Sequence, residues 1–495
     1  MDEWFRDRAR RGPRGCSIER AGLALLAGFF MWAGLGFAAV PGHAVAPIGA
    51  GDDAPPWVME AQLAPDPGPP ASQLGAAVAI SAKRCAVGNR RDTDLGSDTG
   101  VVHCFDFVRK AWRLSQLLKD PAGCITCDFG AALAMDSDRL IVGAPRDGSL
   151  GFDAGRAHVF ERRGTRWVLD ATLARPSPGV DEHFGGAVAV RGRVAVIGAP
   201  RADLGAKPPT RIDDAGVAEV FELREGTWTH AATLLPPKPS TSAWFGAAVA
   251  AEGDRVAIGA LGESNEGGTA GAVHIFRRVA EGWTHESTLT PPWPGPSWFG
   301  FSLAMDGDRL LVGAPLSRPP GSGVATGAAF LYLRTGSSMQ LAGTLTAPWL
   351  AAGDGLGIST ALDGDNAFVG ASGDDEDGED SGAVYLFARR AGSLRPAEKL
   401  AVPSLSAGDH CGAALAACAG RLIVGRGGDP EATPAPGQGA AWIFTPQQGP
   451  TRRSGSGSTK SAPSKPAASD STKEKSSASP KSLKLPRAPK APSLR

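Results

Sequence analysis

The chain has 495 residues, and its 51 basic and 51 acidic side chains give a formal charge of zero. Length alone allows two or more domains. With eight His and neither a His-Glu-x-x-His nor a Gly-x-Ser-x-Gly motif, it carries no metallopeptidase or serine-hydrolase signature. No folded nucleic-acid-binding motif accompanies its basic stretches. Neutrality hides an uneven distribution: residues 1–20 hold six Arg against four acids and residues 451–495 hold eleven Lys and Arg against two acids, which leaves −11 between them.

Residues 1–46 read as an export segment. An Arg-rich stretch precedes the uncharged run Ala21–Val40, and Gly42-His43-Ala44 and Ala44-Val45-Ala46 are two places for cleavage. Pro47 disfavours the second. Twenty apolar residues also suffice to cross a bilayer, so an uncleaved anchor with its Arg-rich end in the cytoplasm is the alternative. Both readings put the remainder outside the cytoplasm: secreted, periplasmic or at the cell surface. Arg10-Arg11 lacks twin-arginine surroundings and Cys16 precedes the apolar run, so neither a Tat nor a lipoprotein signal is expected. Residues 47–56 read as a linker.

Residues 57–448 carry one pattern seven times. An apolar residue and Gly open each copy: Leu74-Gly75, Phe129-Gly130, Phe184-Gly185, Phe245-Gly246, Phe299-Gly300, Leu356-Gly357 and Cys411-Gly412. A second glycine follows 13 residues later every time, from Gly88 to Gly425. A third opens another apolar run that ends five positions on in a large residue, as in Gly155/Phe160 and Gly271/Phe276. A fourth run starts at Trp and reaches Leu six residues on, as in Trp112/Leu118, Trp167/Leu173, Trp228/Leu234 and Trp283/Leu289. Four short apolar runs separated by Gly, Pro, Asp and Ser read as four strands. Repeats of this length with four strands predict an all-β fold, a seven-bladed β-propeller of four-stranded blades. The seventh copy stops at Phe444 and lacks its Trp run. Trp57–Leu63 has that spacing, so residues 57–63 are expected to be the outer strand of blade seven and to close the ring. Gly and Ala crowd the first run of each copy, as the narrow centre requires, and Trp falls on the wide outside.

Phe-Gly followed by Val-Gly-Ala-Pro resembles the FG-GAP repeat of integrin α-subunit propellers, and more closely that of secreted bacterial proteins built from such repeats. Phe129-Gly130 with Gly143-Ala144-Pro145, Phe184-Gly185 with Gly198-Ala199-Pro200, and Phe299-Gly300 with Gly313-Ala314-Pro315 carry both halves whole. The resemblance spans roughly residues 57–446. It implies an exported, non-enzymatic binding or adhesion propeller. Integrin-type repeats often hold calcium between the first two strands; here that connection is too short, so Asp136, Asp138, Asp254, Asp306, Asp308, Asp363 and Asp365 read as remnants or hairpin turns, and no cofactor is required.

The fixed 13-residue spacing confines length variation to two connections, second strand to third and blade to blade. Both emerge on one face of a propeller, which is also the ligand face that the resemblance implies. Loops held by a rigid scaffold favour binding. The residues just before the openers, Gln73, Asp128, His183, Trp244, Trp298, Gly355 and His410, are expected around the channel mouth there, with Trp293 and Trp349 in nearby loops. His183, Trp244, Trp293, Trp298, Trp349 and His410 are the candidate ligand-binding residues, for an extracellular protein or a glycan. Covering the blade tops is the other role open to these Trp side chains. Asp374, Asp375, Asp377, Glu379 and Asp380 are the candidate cation ligands should Ca²⁺ bind, and Asp92, Asp94, Asp98, Asp147 and Asp153 occupy matching loops. No catalytic residues stand out. Cys85 and Cys104, on adjacent strands, and Cys124 and Cys127, in one loop, are candidate disulfide partners; idle thiols are the other reading for the second pair. Cys411 replaces an opener Phe as a core residue.

Residues 449–495 are rich in Ser, Ala, Pro and Lys with little to form a core, which predicts a disordered basic tail. The tail suits an anionic surface polymer, or serves as a solubilising spacer. Two further functions stay open: a hydrolase or lyase acting on an extracellular polymer, and a structural surface component attached through the tail.

Overall fold

The structure, a computed structural model, describes residues 56–63, 74–90, 99–124, 126–205, 209–265, 268–390, 393–394, 397–427 and 439–447. The chain divides into two units, Met1–Gln447 and Gln448–Arg495. The expected export segment, the linker apart from Pro56, the basic tail, Gln73, Asp92, Asp94 and Asp98 lie outside the described residues.

Every regular element among the described residues is a β-strand. Seven antiparallel meanders of four strands make seven blades. Blade two is representative: Ala132–Asp136, Arg139–Ala144, Arg156–Arg163 and Arg166–Leu173, in that order from the axis outward. The first strands neighbour one another around the ring, and that of blade seven, Cys411–Cys418, returns to that of blade one, Leu74–Ser81. Trp57–Leu63 pairs antiparallel with Ala440–Pro446, so the N-terminal strand closes blade seven as expected.

The constant spacing has a steric cause. A Cβ on Gly143 would lie 2.0 Å from the carbonyl oxygen of Gly185 in blade three, and one on Gly425 would lie 2.1 Å from that of Gly75 in blade one. The second glycines therefore let backbone touch backbone between blades, across the closing seam included. In blades two to six, the carbonyl oxygen just before the third glycine accepts the N–H of the next opener, as Ala154 does from Phe184 at 3.1 Å. Blades pack through their faces: Trp57 of blade seven meets Phe368 of blade six edge-on at 4.8 Å.

All seven first connections are two-residue turns. Acids beside these turns bond across blades. Asp136 accepts the N–H of Gly192, Asp306 that of Gly364 at 3.1 Å, and Asp363 that of Gly420 at 2.6 Å, each in the next blade. Arg139 donates to the Gly192 carbonyl at 3.1 Å, and Arg421 of blade seven to that of Ala82 in blade one at 3.0 Å.

The cysteine pairing of blade one is corrected. Cys85 lies opposite Phe105 and Cys104 opposite Ala86, so alternation sends the two thiols to opposite faces of the sheet. Cys85 packs towards blade seven and Cys104 towards blade two. Cys124 and Cys127 are thiols as well. Cys127 is fully buried and its Sγ donates to the carbonyls of Thr99 and Cys124 at 3.5 and 3.6 Å. Cys411 is a core residue, its thiol pushed up to about 12 by burial.

Candidate functional site at the loop face

Among the described residues, six of the first strands are entered through one residue of unusual backbone. Asp128, His183, Trp244, Trp298, Gly355 and His410 all have φ between 48° and 67°. This left-handed region is uncommon for non-glycine residues and an outlier for bulky ones. The turn is fixed by hydrogen bonds on both sides: His183 N donates to Asp153 O at 3.1 Å, and His183 O accepts from Gly186 N at 3.0 Å. The same outgoing bond recurs at Trp244, Trp298 and His410. These side chains stand at the head of the inner strands, at the loop end of the channel.

The six candidate ligand-binding residues differ in how much they offer. Trp349 is 43% exposed and lies 6.3 Å from Tyr385. Trp298 is half-buried and stacks on Phe301 at 5.8 Å. Trp244 is half-buried as well. Trp293 packs edge-on against Phe330 at 5.0 Å in the blade-five core, so it covers a blade top. The His410 ring meets the carbonyl of Ser372 through Nδ1 at 3.2 Å. His183 is buried, with Nε2 3.2 Å from Asp181 Oδ1.

His183 belongs to a cluster of charged groups on this face, between blades two and three. Asp153, Asp181 and His183 bring their polar atoms together, and Arg201 pairs with Asp181 at 2.9 Å while Arg146 approaches Asp153 at 3.7 Å. Two guanidiniums already balance the two carboxylates. Over this charged floor lie two loops that touch: Asp181 N donates to Phe152 O at 2.7 Å. They present Leu150, Phe152 and Val180, which are 41%, 59% and 68% exposed.

The acidic loop of blade six has its own cation. Lys399 Nζ lies 3.1 Å from Asp374, 2.7 Å from Glu376 and 3.2 Å from Asp377. Asp374 is buried and also accepts from Tyr385 at 2.6 Å, and Asp375 accepts the N–H of Asp380 at 2.7 Å. Glu379 is exposed. Two of the five candidate calcium ligands, Asp374 and Asp377, thus face an ammonium group. Nearby Asp354 is pushed up to about 6 by burial and by the charges of Asp374 and Asp375, although the Ala351 N–H favours its ionised form. On the hairpin side, a 390 Å³ hollow holds Glu222, Arg224 and Arg278, whose charges pair with one another.

A family model described as the FG-GAP repeat matches residues 228–276, 283–332 and 340–387. The chain is an FG-GAP repeat β-propeller. Each match runs from the outer strand of one blade to the third strand of the next, the same offset that lets residues 57–63 complete blade seven. No curated protein matches the chain significantly. Sequence reasoning placed His183 on this FG-GAP propeller's loop face and missed Leu150, Phe152 and Val180. Three apolar residues inside polar loops were the available signal.

Proposed function

We propose that the protein is an exported, non-enzymatic binding propeller of adhesion type, which engages an extracellular protein through its loop face between blades two and three. One observation carries this reading: Leu150, Phe152 and Val180 stand exposed on two loops bonded to each other. Apolar side chains gathered on a soluble surface mark interaction sites, and loops fixed before binding lose less freedom on docking. The Leu and Val members favour a protein over a glycan, because stacking on a sugar ring asks for aromatic faces. Trp349 and the left-handed Trp298 extend the aromatic character around the same rim. Strain of this kind concentrates at functional sites.

The test is an array of extracellular proteins and glycans probed with the full chain and with Phe152→Ser/Val180→Ser. Protein ligands retained by the wild type and lost by the double variant are expected. Retention of the same ligands by both would remove this surface from the proposal. Glycan signals lost in Trp298→Ala would move it to the aromatic rim.

A further inference from the structure

Blade two holds a buried cluster that its sister blades resolve differently. Its members are Asp120 in the loop entering the blade, Asp147 four residues after Gly143, and His158 three residues after Gly155. One polar atom of each is tied down. Asp120 Oδ2 accepts the N–H of Ala122 at 2.9 Å and of Cys124 at 2.8 Å. Asp147 Oδ1 accepts the N–H of Ser149 at 2.9 Å, and its hydroxyl. His158 Nδ1 meets Thr172 Oγ1 at 3.1 Å. The other atom of each, Asp120 Oδ1, Asp147 Oδ2 and His158 Nε2, is buried without a hydrogen-bond partner. Asp147 and His158 are each 1% exposed, and the side chain of Asp120 is 2% exposed. One ligating atom from each residue lies within 4.8 Å of the others. His158 Nε2 and Asp120 Oδ1 are 3.2 Å apart, which makes an ion pair only when His158 is protonated.

The matching positions elsewhere show closed arrangements. In blade four, Glu263 follows Gly259 by four and His274 follows Gly271 by three. Their Oε2 and Nε2 meet at 2.7 Å, with Thr288 on His274 Nδ1 at 3.1 Å. In blade six, Tyr385 donates to Asp374. In blade three, Glu219 holds the strand position, and Arg175, the counterpart of Asp120, pairs with it at 3.1 Å. Blade two has an acid one methylene shorter than Glu263. It also places a second carboxylate where blade three has Arg175 and blade four has Pro236. Arg156 approaches the tied oxygen of Asp147, at 3.9 Å.

We propose that Asp120, Asp147 and His158 bind one divalent transition-metal ion of the zinc class, pinning the loop that enters blade two to that blade's second-to-third connection and third strand. Two carboxylates supply the charge to match a divalent ion, and an N/O donor set of three suits zinc with one position left for water. Calcium, which takes six to eight oxygens, does not fit. Two ligands of tetrahedral zinc lie about 3.3 Å apart for bonds of ~2.0 Å, close to the 3.2 Å seen between His158 and Asp120. The tied atoms are the outer hydrogen bonds that orient metal ligands.

The full chain, stripped with EDTA and dialysed, is to be titrated with ZnCl₂ by calorimetry, with thermal melting at saturation. One equivalent of Zn²⁺ and a raised melting temperature are expected. His158→Gln and Asp120→Asn should each weaken binding by more than about tenfold, since even outer-sphere changes cost 10–100-fold. His274→Gln, at the same position in blade four, should not. Asp120→Asn keeps the side-chain shape and decides alone if the His158 variant does not fold. Two results overturn the site: Zn²⁺ binding that both variants leave unchanged, or a folded wild type that binds none of Zn²⁺, Co²⁺ and Mn²⁺. If, without any metal binding, Asp120→Asn lowers the melting temperature, a protonated His158 closes the cluster instead and the proposal also fails.

Discussion

The two ends of the propeller are made by the same seven repeats and obey different constraints. At the hairpin end every first connection has two residues, and side chains bond from blade to blade, as Asp306 does to Gly364 and Arg421 to Ala82. At the loop end the connections differ in length, and neighbouring blades are joined there by backbone hydrogen bonds, as between Asp181 and Phe152. Where the turn's acid is the acceptor for the next blade, as at Asp136, Asp306 and Asp363, an insertion would break that bond, which adds to the steric cause of the constant spacing. A loop with no such duty is free to change. Substitutions should therefore cost stability at the hairpin end and binding at the loop end.

The sharpest test is Arg421→Ala, at the seam of the ring. Arg421 bonds Glu60 of the closing strand at 2.7 and 3.0 Å and lies over the Phe107 ring of blade one at 4.3 Å. Its loss leaves Glu60 largely buried with one remaining side-chain donor, Trp112 at 3.1 Å. A destabilisation of about 2 kcal/mol is expected in urea unfolding at pH 7, the usual order for losing hydrogen bonds to a charged group. Burial pushes the Glu60 carboxyl up, but the hydrogen bonds from Arg421 and Trp112 outweigh it and hold the pKa below 4.5. A depressed folded-state pKa stabilises above the unfolded value and stops doing so as pH falls through the folded one. The deficit of the variant should therefore shrink below pH ~4. A constant deficit would assign the effect to packing on Phe107.

Next in size is Asp363→Ala, which removes the acceptor for Gly420 N–H in blade seven. A loss of about 1–2 kcal/mol is expected, the cost of leaving a backbone donor without its bond. An unchanged denaturation midpoint would show that water replaces the bond, and would weaken the argument that these acids hold the ring.

How far the sequence carries this contrast depends on the range of the interaction concerned. Blade number, closure by 57–63 and the two-residue turns are legible because glycine and aromatic spacing reports backbone contact at a fixed period. The left-handed Trp244 and Trp298 are not, since neither favours that conformation on its own and the bonds around them impose it. Asp120, Asp147 and His158 meet only once blades one and two stack. A trace was nevertheless present: His103, His158 and His274 all stand three residues after a third glycine. The Cys85–Cys104 expectation failed for a reason that register supplies and sequence does not.

At the loop end, Asp354→Asn should raise stability. Asp354 is 4% exposed, and burial with the charges of Asp374 and Asp375 pushes it to about 6. Between its ordinary 3.8 and about 6 the folded protein holds a proton that the unfolded chain has released, so stability falls as pH rises through that window. The variant should gain on the order of 1 kcal/mol at pH 7.5, read as melting temperature, with the gain vanishing below pH ~4. Equal curves at pH 7.5 would place Lys399 close enough to cancel the charge.

The smallest stability effect belongs to Phe152→Ser/Val180→Ser, and its smallness is the point. Both side chains are mostly in water, so removing them takes little apolar surface from the folded state, and exposed substitutions usually stay within about 0.5 kcal/mol. The backbone bond between their loops needs neither side chain. A melting temperature within about 2 °C of wild type is expected, together with lost retention of protein ligands. A large drop in melting temperature would mean that these loops brace blades two and three against each other. The loop end would then share the structural duty of the hairpin end, and exposure there would no longer argue for a partner.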